Sequence, residues 1–274
     1  MARSGKASRL DSGSLLGILV AVIGIVGGFI YEGGHPLKDM VGPSAALIVF
    51  GGTLGATLLS HPPSVVRSAL HRVKDIFFEE SRDLPSTIDS LVGFAAHARK
   101  NGLVSLDADV EAIHDPYLKK ALILAVDGAD IQEIRTMMEL ESDASEERWI
   151  SSAKVFESAG GYAPTIGIIG AVLGLILVMN ELDDMRKVGH GIAAAFVATI
   201  YGVGVANILL LPAAQKLKAR GAAQHDREHL ILEGVCAIVE GMNPKLIRTK
   251  LEGFLDPASL RRATTAGPVP PPKA

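Results

Sequence analysis

A chain of 274 residues that is 48% hydrophobic and 21% charged, with mean hydropathy +0.31 and formal net charge -3, is too apolar for an ordinary soluble domain. Its near-neutral balance excludes a basic nucleic-acid-binding surface. The single Cys236 allows neither an internal disulfide nor a zinc-type spacing, and no Gly-x-x-x-x-Gly-Lys-Ser/Thr phosphate loop occurs.

In chain order, the first element is a run without Asp, Glu, Lys or Arg over 12–31, preceded by a basic start, Arg3, Lys6 and Arg9, within a cytoplasmic segment 1–11. No Ala-x-Ala cleavage pattern follows and a second apolar run arrives at once, so 12–31 reads as a retained helix and not a signal peptide. Uncharged runs at 41–60, 162–180 and 189–214 also have roughly the 17–25 residues a membrane helix needs. Basic residues flank them unevenly. Arg67, Arg72 and Lys74 follow the second run and Lys216, Lys218, Arg220 and Arg227 the fourth, while the turns at 32–40 and 181–188 hold few. By the positive-inside rule both termini and the middle region 61–161 face the cytoplasm.

The expected fold class is therefore an all-α integral membrane protein: four transmembrane helices in two hairpins, with a helical cytoplasmic domain between spans two and three. Within that domain, helical spacing of apolar residues begins at Asp83-Leu-Pro-Ser, at Asp115-Pro116 and at Asp130. An acid followed by proline suits a helix start, because proline lacks a donor the first turn would leave unpaired. Past the fourth span, 215–262 reads as cytoplasmic helices, with a new one at Asn243-Pro244, and 263–274 as a disordered Pro-rich tail.

Small residues at three- and four-residue spacing mark helix contact faces in lipid. Gly167, Gly170, Ala171 and Gly174 make such a face on span three, and Ala195, Thr199, Gly202 and Ala206 on span four. Gly17, Gly24 and Gly28, with Gly51 and Gly55, are expected to do the same for the first hairpin. These faces serve either packing inside one chain or contact between copies. Pro164 fits two readings as well. It sits in the first turn of its helix, where its missing donor costs nothing, or it lies deeper, as Val155, Phe156 and Ala159 suggest, and bends the helix.

The polar residues inside the spans are Thr53, Thr57, Thr165, Thr199, Tyr201 and Asn207, and none titrates near neutral pH. An ion pathway normally needs an ionisable group or a polar cage in the membrane. Either this chain moves no ions or a partner brings the carboxylate. The pair His225 and His229, one helical turn apart, lacks a third metal ligand and reads as a helix face. Trp149 is expected to pack, and no Ser/His/Asp or paired-acid constellation is legible, so neither a metal, a cofactor nor an enzyme is expected.

Five motifs taken together, ARKNGL from Ala98, LAVDGAD from Leu124, GGYAPTIGIIGAVLGLI from Gly160, ATIYG from Ala198 and LLPAAQKL from Leu210, resemble the MotA/PomA flagellar stator subunits of the wider superfamily that includes ExbB and TolQ. ExbB and TolQ have three spans, so the four-span count favours the stator branch over an ExbB/TolQ-like energiser of an outer-membrane process. The resemblance implies a bacterial inner-membrane location among lipid. It also implies a ring of copies, thought to be pentameric, around a dimer of a single-span, peptidoglycan-binding MotB/PomB-like partner whose aspartate carries the ion. Ion flow then turns the rotor. Pro164 matches the family proline at the cytoplasmic start of span three and Pro212 the one that ends span four, both implicated in coupling. Thr199 matches a threonine facing the ion route. Ala171 falls where sodium-driven relatives place a second threonine, which implies H+ as the transported ion and not the Na+ of a PomA-type stator. Arg99 and Lys100 match the basic pair that engages the rotor protein FliG, and Asp107 the first acid of the motif opposite them.

Overall fold

In the computed structural model, which describes residues 9–79, 84–180 and 182–255, the helix α1 runs Ser12–Tyr31, after Asp11 caps it by accepting the Ser14 amide at 3.1 Å. A short α2 (Pro36–Asp39) leads into α3 (Pro43–Ser60), then α4 (Pro63–His71) and α5 (Val73–Phe77). The two-residue strands β1 (Arg9–Leu10) and β2 (Phe78–Glu79) pair antiparallel, a detail the all-α reading lacks. Next come α6 (Leu84–Asn101), a 3-10 turn at Leu103–Leu106, α7 (Asp107–Glu111) and α8 (Pro116–Val126). The chain ends in α9 (Ile131–Met179), α10 (Met185–Val205), a π turn at Ala206–Leu210, α11 (Leu211–Val239) and α12 (Pro244–Glu252). The basic residues Arg3 and Lys6, the start at Asp83 and the Pro-rich tail 263–274 lie outside the described residues.

Two units divide the fold. The first comprises residues 1–81 and 149–219, the second 82–148 and 220–274, so α9 and α11 contribute to both.

In the first unit, four helices are long and apolar enough to cross a membrane. Leu16, Val20 and Ile23 of α1 are about 60% exposed, and among the described residues none in α1 is buried. Such an apolar surface is stable only against lipid or other helices. At about 1.5 Å per residue, the 49 residues of α9 extend well over twice the hydrocarbon thickness of a bilayer. Its charged N-terminal half and uncharged C-terminal part divide that length accordingly. Residues 162 and 214, the expected span limits, are thus not helix ends. Tyr201 of α10 ties down the entry to α3: its hydroxyl donates to the Met40 carbonyl at 2.6 Å and accepts the Gly42 amide at 3.2 Å. Trp149 packs with Ile76, Ala153 and Leu217, and the Arg72 guanidinium lies 3.7 Å from its ring centroid, a cation–π contact.

The second unit is a helical domain with its own core, in which Ile88, Leu91, Leu122, Met138, Leu230, Ile231, Ile247 and Leu251 are fully buried. Asp115 caps α8 by accepting the Tyr117 and Leu118 amides at 3.0 and 3.2 Å, and also pairs with Arg227. Asn243 caps α12 through the Lys245 amide at 3.0 Å. Gly234 brings α11 close to α6, because a Cβ there would lie 2.7 Å from Leu91 Cδ1.

Glu233 holds this core together electrostatically, accepting hydrogen bonds from Arg135 Nη1 and Lys250 Nζ, each at 2.6 Å. Burial alone would raise its pKa, but the two cationic donors outweigh burial and lower it from 4.5 to about 2. A carboxylate whose folded pKa is depressed contributes stability above its unfolded pKa. That stability is lost as pH falls from 4.5 towards 2. Glu233→Gln is expected to lower stability at neutral pH by about 1–2 kcal/mol and to flatten the acid limb of a thermal-unfolding series over that range.

Candidate functional site

The long helices α9 and α10 meet backbone to backbone. A Cβ on Gly167 would lie 2.9 Å from the Ala198 carbonyl oxygen and 3.3 Å from Gly202 Cα. One on Gly202 would collide with the Ala163 carbonyl oxygen and lie 3.1 Å from Gly167 Cα. Two turns further along, Gly174 faces the Ala195 nitrogen and the Gly191 oxygen, each 3.3 Å from such a Cβ. The third helix, α3, joins through Ile48, 3.3 Å from a Cβ on Gly170, and through Gly52, where a Cβ would come within 2.8 Å of Ile166. Side chains at these glycines would hold the backbones apart and forfeit the dispersion contacts that associate helices in lipid.

The spaced glycines of the first hairpin have no neighbour within the described chain. At Gly17, Gly24, Gly28, Gly51 and Gly55 an added Cβ would meet nothing within 4 Å among the described residues. Equal spacing in sequence therefore marks two different things: an internal seam on α9 and α10, and an unoccupied face on α1.

Both prolines lie inside helices. Pro164 is well within α9 and not in its first turn, so the Gly160 carbonyl loses the amide it would otherwise receive. Pro212 follows a π turn, and the helix continues past it as α11 to Val239. The π turn at Ala206–Leu210 widens the hydrogen-bond pattern one residue ahead of Leu211 and relieves the clash between a proline ring and the preceding carbonyls. The two irregularities are neighbours: a Cβ on Gly160 would lie 2.7 Å from Leu211 Cδ2 and 3.4 Å from Leu210 Cβ. Two helices locked along one seam thus carry weak points side by side at one end of it.

Apart from the Tyr162 and Tyr201 hydroxyls, the polar groups of these helices bond to their own backbones. Thr199 Oγ1 donates to the Ala195 carbonyl at 3.3 Å, Thr165 to Tyr162 at 2.8 Å, Thr57 to Thr53 at 2.7 Å and Asn207 Nδ2 to Val203 at 2.9 Å. Thr199 and Ala171 are half-buried. The exception is Thr53, buried with its hydroxyl unpartnered among the described residues. The wall so formed is polar in places and carries no carboxylate within the expected spans, so it can shape a path for an ion but not bind and release a proton itself.

Long-range pairs at the same end of the helices escaped the sequence reading. Lys216 reaches both Asp11 and Ser14, Ser60 Oγ and the Tyr162 hydroxyl are 2.8 Å apart, and His61 Nε2 lies 2.9 Å from Ser158 Oγ. The only signal for the first was an acid ahead of one apolar run and a lysine just behind another.

In the second unit, Arg99 and Lys100 occupy the exposed last turn of α6, where cations complement the helix dipole. Neither has a partner among the described residues. Gly102, at φ 87°, then reverses the chain. Asp107 and Glu111 are exposed on α7, whereas Asp109 is engaged by His97 Nδ1 at 2.7 Å. His225 lies 3.1 Å from Ser142 Oγ and 3.6 Å from Glu146 Oε2, while His229 packs on Phe254 with ring centroids 5.5 Å apart.

Long apolar helices fused along a glycine seam, uncharged within the bilayer and weakened at paired prolines, define a membrane-embedded helical subunit of the ion-channel class. Residues 109–229 match the model of the MotA/TolQ/ExbB proton channel family, and 15–102 that of the motility protein A N-terminal region. Motility protein A of Bacillus subtilis is 36% identical over 90% of this chain and 91% of its own length. The structure of C. jejuni MotAB superposes with a TM-score of 0.87 at 35% identity, covering 90% of this chain and 97% of that one. The flagellar MotAB stator complex from Bacillus subtilis gives a TM-score of 0.86 at 34% identity, over 93% of this chain and 100% of its counterpart. The chain belongs to the MotA/TolQ/ExbB proton channel family, on its motility side, and serves as a stator proton-channel subunit.

Proposed function

We propose that copies of this chain form a ring, a pentamer, around a dimer of a MotB-like single-span partner and that proton flow along their shared surface turns the rotor. The observation that carries this reading is the seam of α9 and α10: a rigid uncharged wall with paired weak points at Pro164 and the π turn before Pro212. A wall that cannot titrate needs the partner's aspartate, and a wall with hinges at one end can pass the charging of that aspartate on as movement. Four spans lie in the bacterial inner membrane as two hairpins, with both termini and the second unit in the cytoplasm. The chain performs no covalent chemistry.

The glycine face of α1, which meets no neighbour among the described residues, supports contact with neighbouring copies. The half-buried methyl of Ala171 supports protons over sodium, since a methyl group cannot replace part of a sodium hydration shell. Swimming that persists without sodium and stops with a protonophore is the expected result; the reverse pattern assigns sodium. Reconstitution tests the division of labour. The chain alone should leave a vesicle pH gradient intact, and the chain with its partner should dissipate it unless the partner's membrane aspartate is replaced.

Arg99, Lys100 and Asp107 form the rotor-facing set, meeting FliG by charge complementarity. Arg99→Glu with Lys100→Glu is expected to weaken binding to the rotor about tenfold, which is about 1.4 kcal/mol, and to impair swimming, with the melting temperature unchanged because neither side chain has a partner to lose among the described residues. A matched drop in melting temperature would assign the pair a structural role instead.

A further inference from the structure

One ionisable group deep in the second unit takes no part in the seam or in the rotor-facing set. Glu228 of α11 is 4% exposed, yet among the described residues it forms no ion pair. Its two partners are neutral: Ser142 Oγ of α9 donates to Oε2 at 2.8 Å, and Gln224 Nε2, one turn back on α11, donates to Oε1. The nearby cations are committed elsewhere, Arg227 to Asp115, Lys120 to Glu141 and Arg135 to Glu233. Burial first, then the charges of Glu228 and Glu141, push the Tyr117 hydroxyl of α8 up, with Glu139 adding to them, so the field at this spot is negative. A carboxylate taken out of water is repaid by a cation or by several hydrogen bonds; a proton is the alternative.

A source for that proton lies behind Ser142. His225 Nδ1 stands 3.1 Å from Ser142 Oγ and 3.6 Å from Glu146 Oε2, and the His225 side chain is 31% exposed. Ser142 itself is buried. Its hydroxyl is therefore a closed link between a buried carboxylate and an imidazole that reaches solvent.

We propose that Glu228, Ser142 and His225 form a proton-binding site, loaded from solvent through the imidazole. In the loading step the imidazolium Nδ1–H bond breaks as a new O–H bond forms on Ser142, while the original Ser142 proton moves to Glu228 Oε2. Glu228 ends as a carboxylic acid, and His225 as a neutral ring with its proton on Nε2. The hydrogen bonds reverse rather than break, Glu228 donating to Ser142 and Ser142 to Nδ1. What changes is charge. The Ser142 link between α9 and α11 is charge-assisted before the step and neutral after it, and Glu146 loses the cation beside it, so protonation weakens the hold of α9 on α11. The inference does not rest on torque generation, and its failure would leave the stator reading untouched.

The test is pH-jump infrared spectroscopy of the full chain with its co-purifying partner in lipid, stepped from about pH 8 to about pH 5, the range in which imidazole takes up its proton. Subtracting Glu228→Gln from wild type cancels every other carboxyl, the partner's included, and is expected to leave one protonated C=O stretch that shifts in D2O. Glutamine has the same shape and still accepts from Ser142. His225→Gln and Ser142→Ala should each slow the appearance of the band about a hundredfold. If Glu228→Gln does not fold, the rate in His225→Gln against wild type decides alone. No band in the difference, or a wild-type rate in either relay variant, would overturn the proposal.

Discussion

Gly202→Leu should abolish both the folded complex and swimming, the largest effect expected of any single substitution here. A Cβ alone at this position already collides with the Ala163 carbonyl oxygen and lies 3.1 Å from Gly167 Cα, and both obstacles are backbone that no rotamer change can move. The helices must separate along the whole seam, losing contacts at Gly167 and Gly174 together. Overpacking of this kind costs about 1–3 kcal/mol for a yielding neighbour and more for an unyielding one. Gly204→Ala, on the same helix but with nothing within 4 Å of the added methyl among the described residues, is the control and should leave melting temperature and motility close to wild type. Thermal unfolding in detergent beside swimming assays checks both. A stable, motile Gly202→Leu protein would mean that the seam is not close-packed in the membrane.

Pro164→Ala should separate stability from function in the opposite sense. Restoring an N–H inside α9 returns a donor to the Gly160 carbonyl, and an interior proline disfavours a helix by about 3 kcal/mol relative to alanine. The variant is therefore expected to assemble and to melt at the wild-type temperature or above it. Swimming, however, should fall at least tenfold, because stiffening α9 removes one of two adjoining weak points while the π turn on the other helix remains. Proton flux through the reconstituted complex should fall with it if the bend is part of coupling. A Pro164→Ala strain that swims normally would assign the proline no more than a packing role.

Much of this organisation follows from local pattern. The limits of α1, the caps at Asp115 and Asn243 and the uncharged character of the spans are properties of short windows, since hydropathy, the proline ring and an acid at a helix start act within a turn or two. The helix continuity at residues 162 and 214 was harder to see. Proline is a stop signal in most local contexts, and the π turn that rescues Pro212 has no residue signature of its own. The Lys216 pairs with Asp11 and Ser14 were invisible for a different reason: their partners lie about two hundred positions apart, and only folding brings them together.

Sequence alone determined that the chain carries four apolar segments long enough to cross a membrane, that these carry no acid of their own and which family motifs they bear. Tertiary structure decided which glycines matter inside one chain. Gly167, Gly174 and Gly202 touch backbone across the seam, whereas Gly17, Gly24 and Gly28, with a similar spacing, face nothing among the described residues. The physical reason is that spacing states only that a face is smooth enough to be approached. What approaches it depends on how distant helices are arranged, and no window of sequence contains that arrangement.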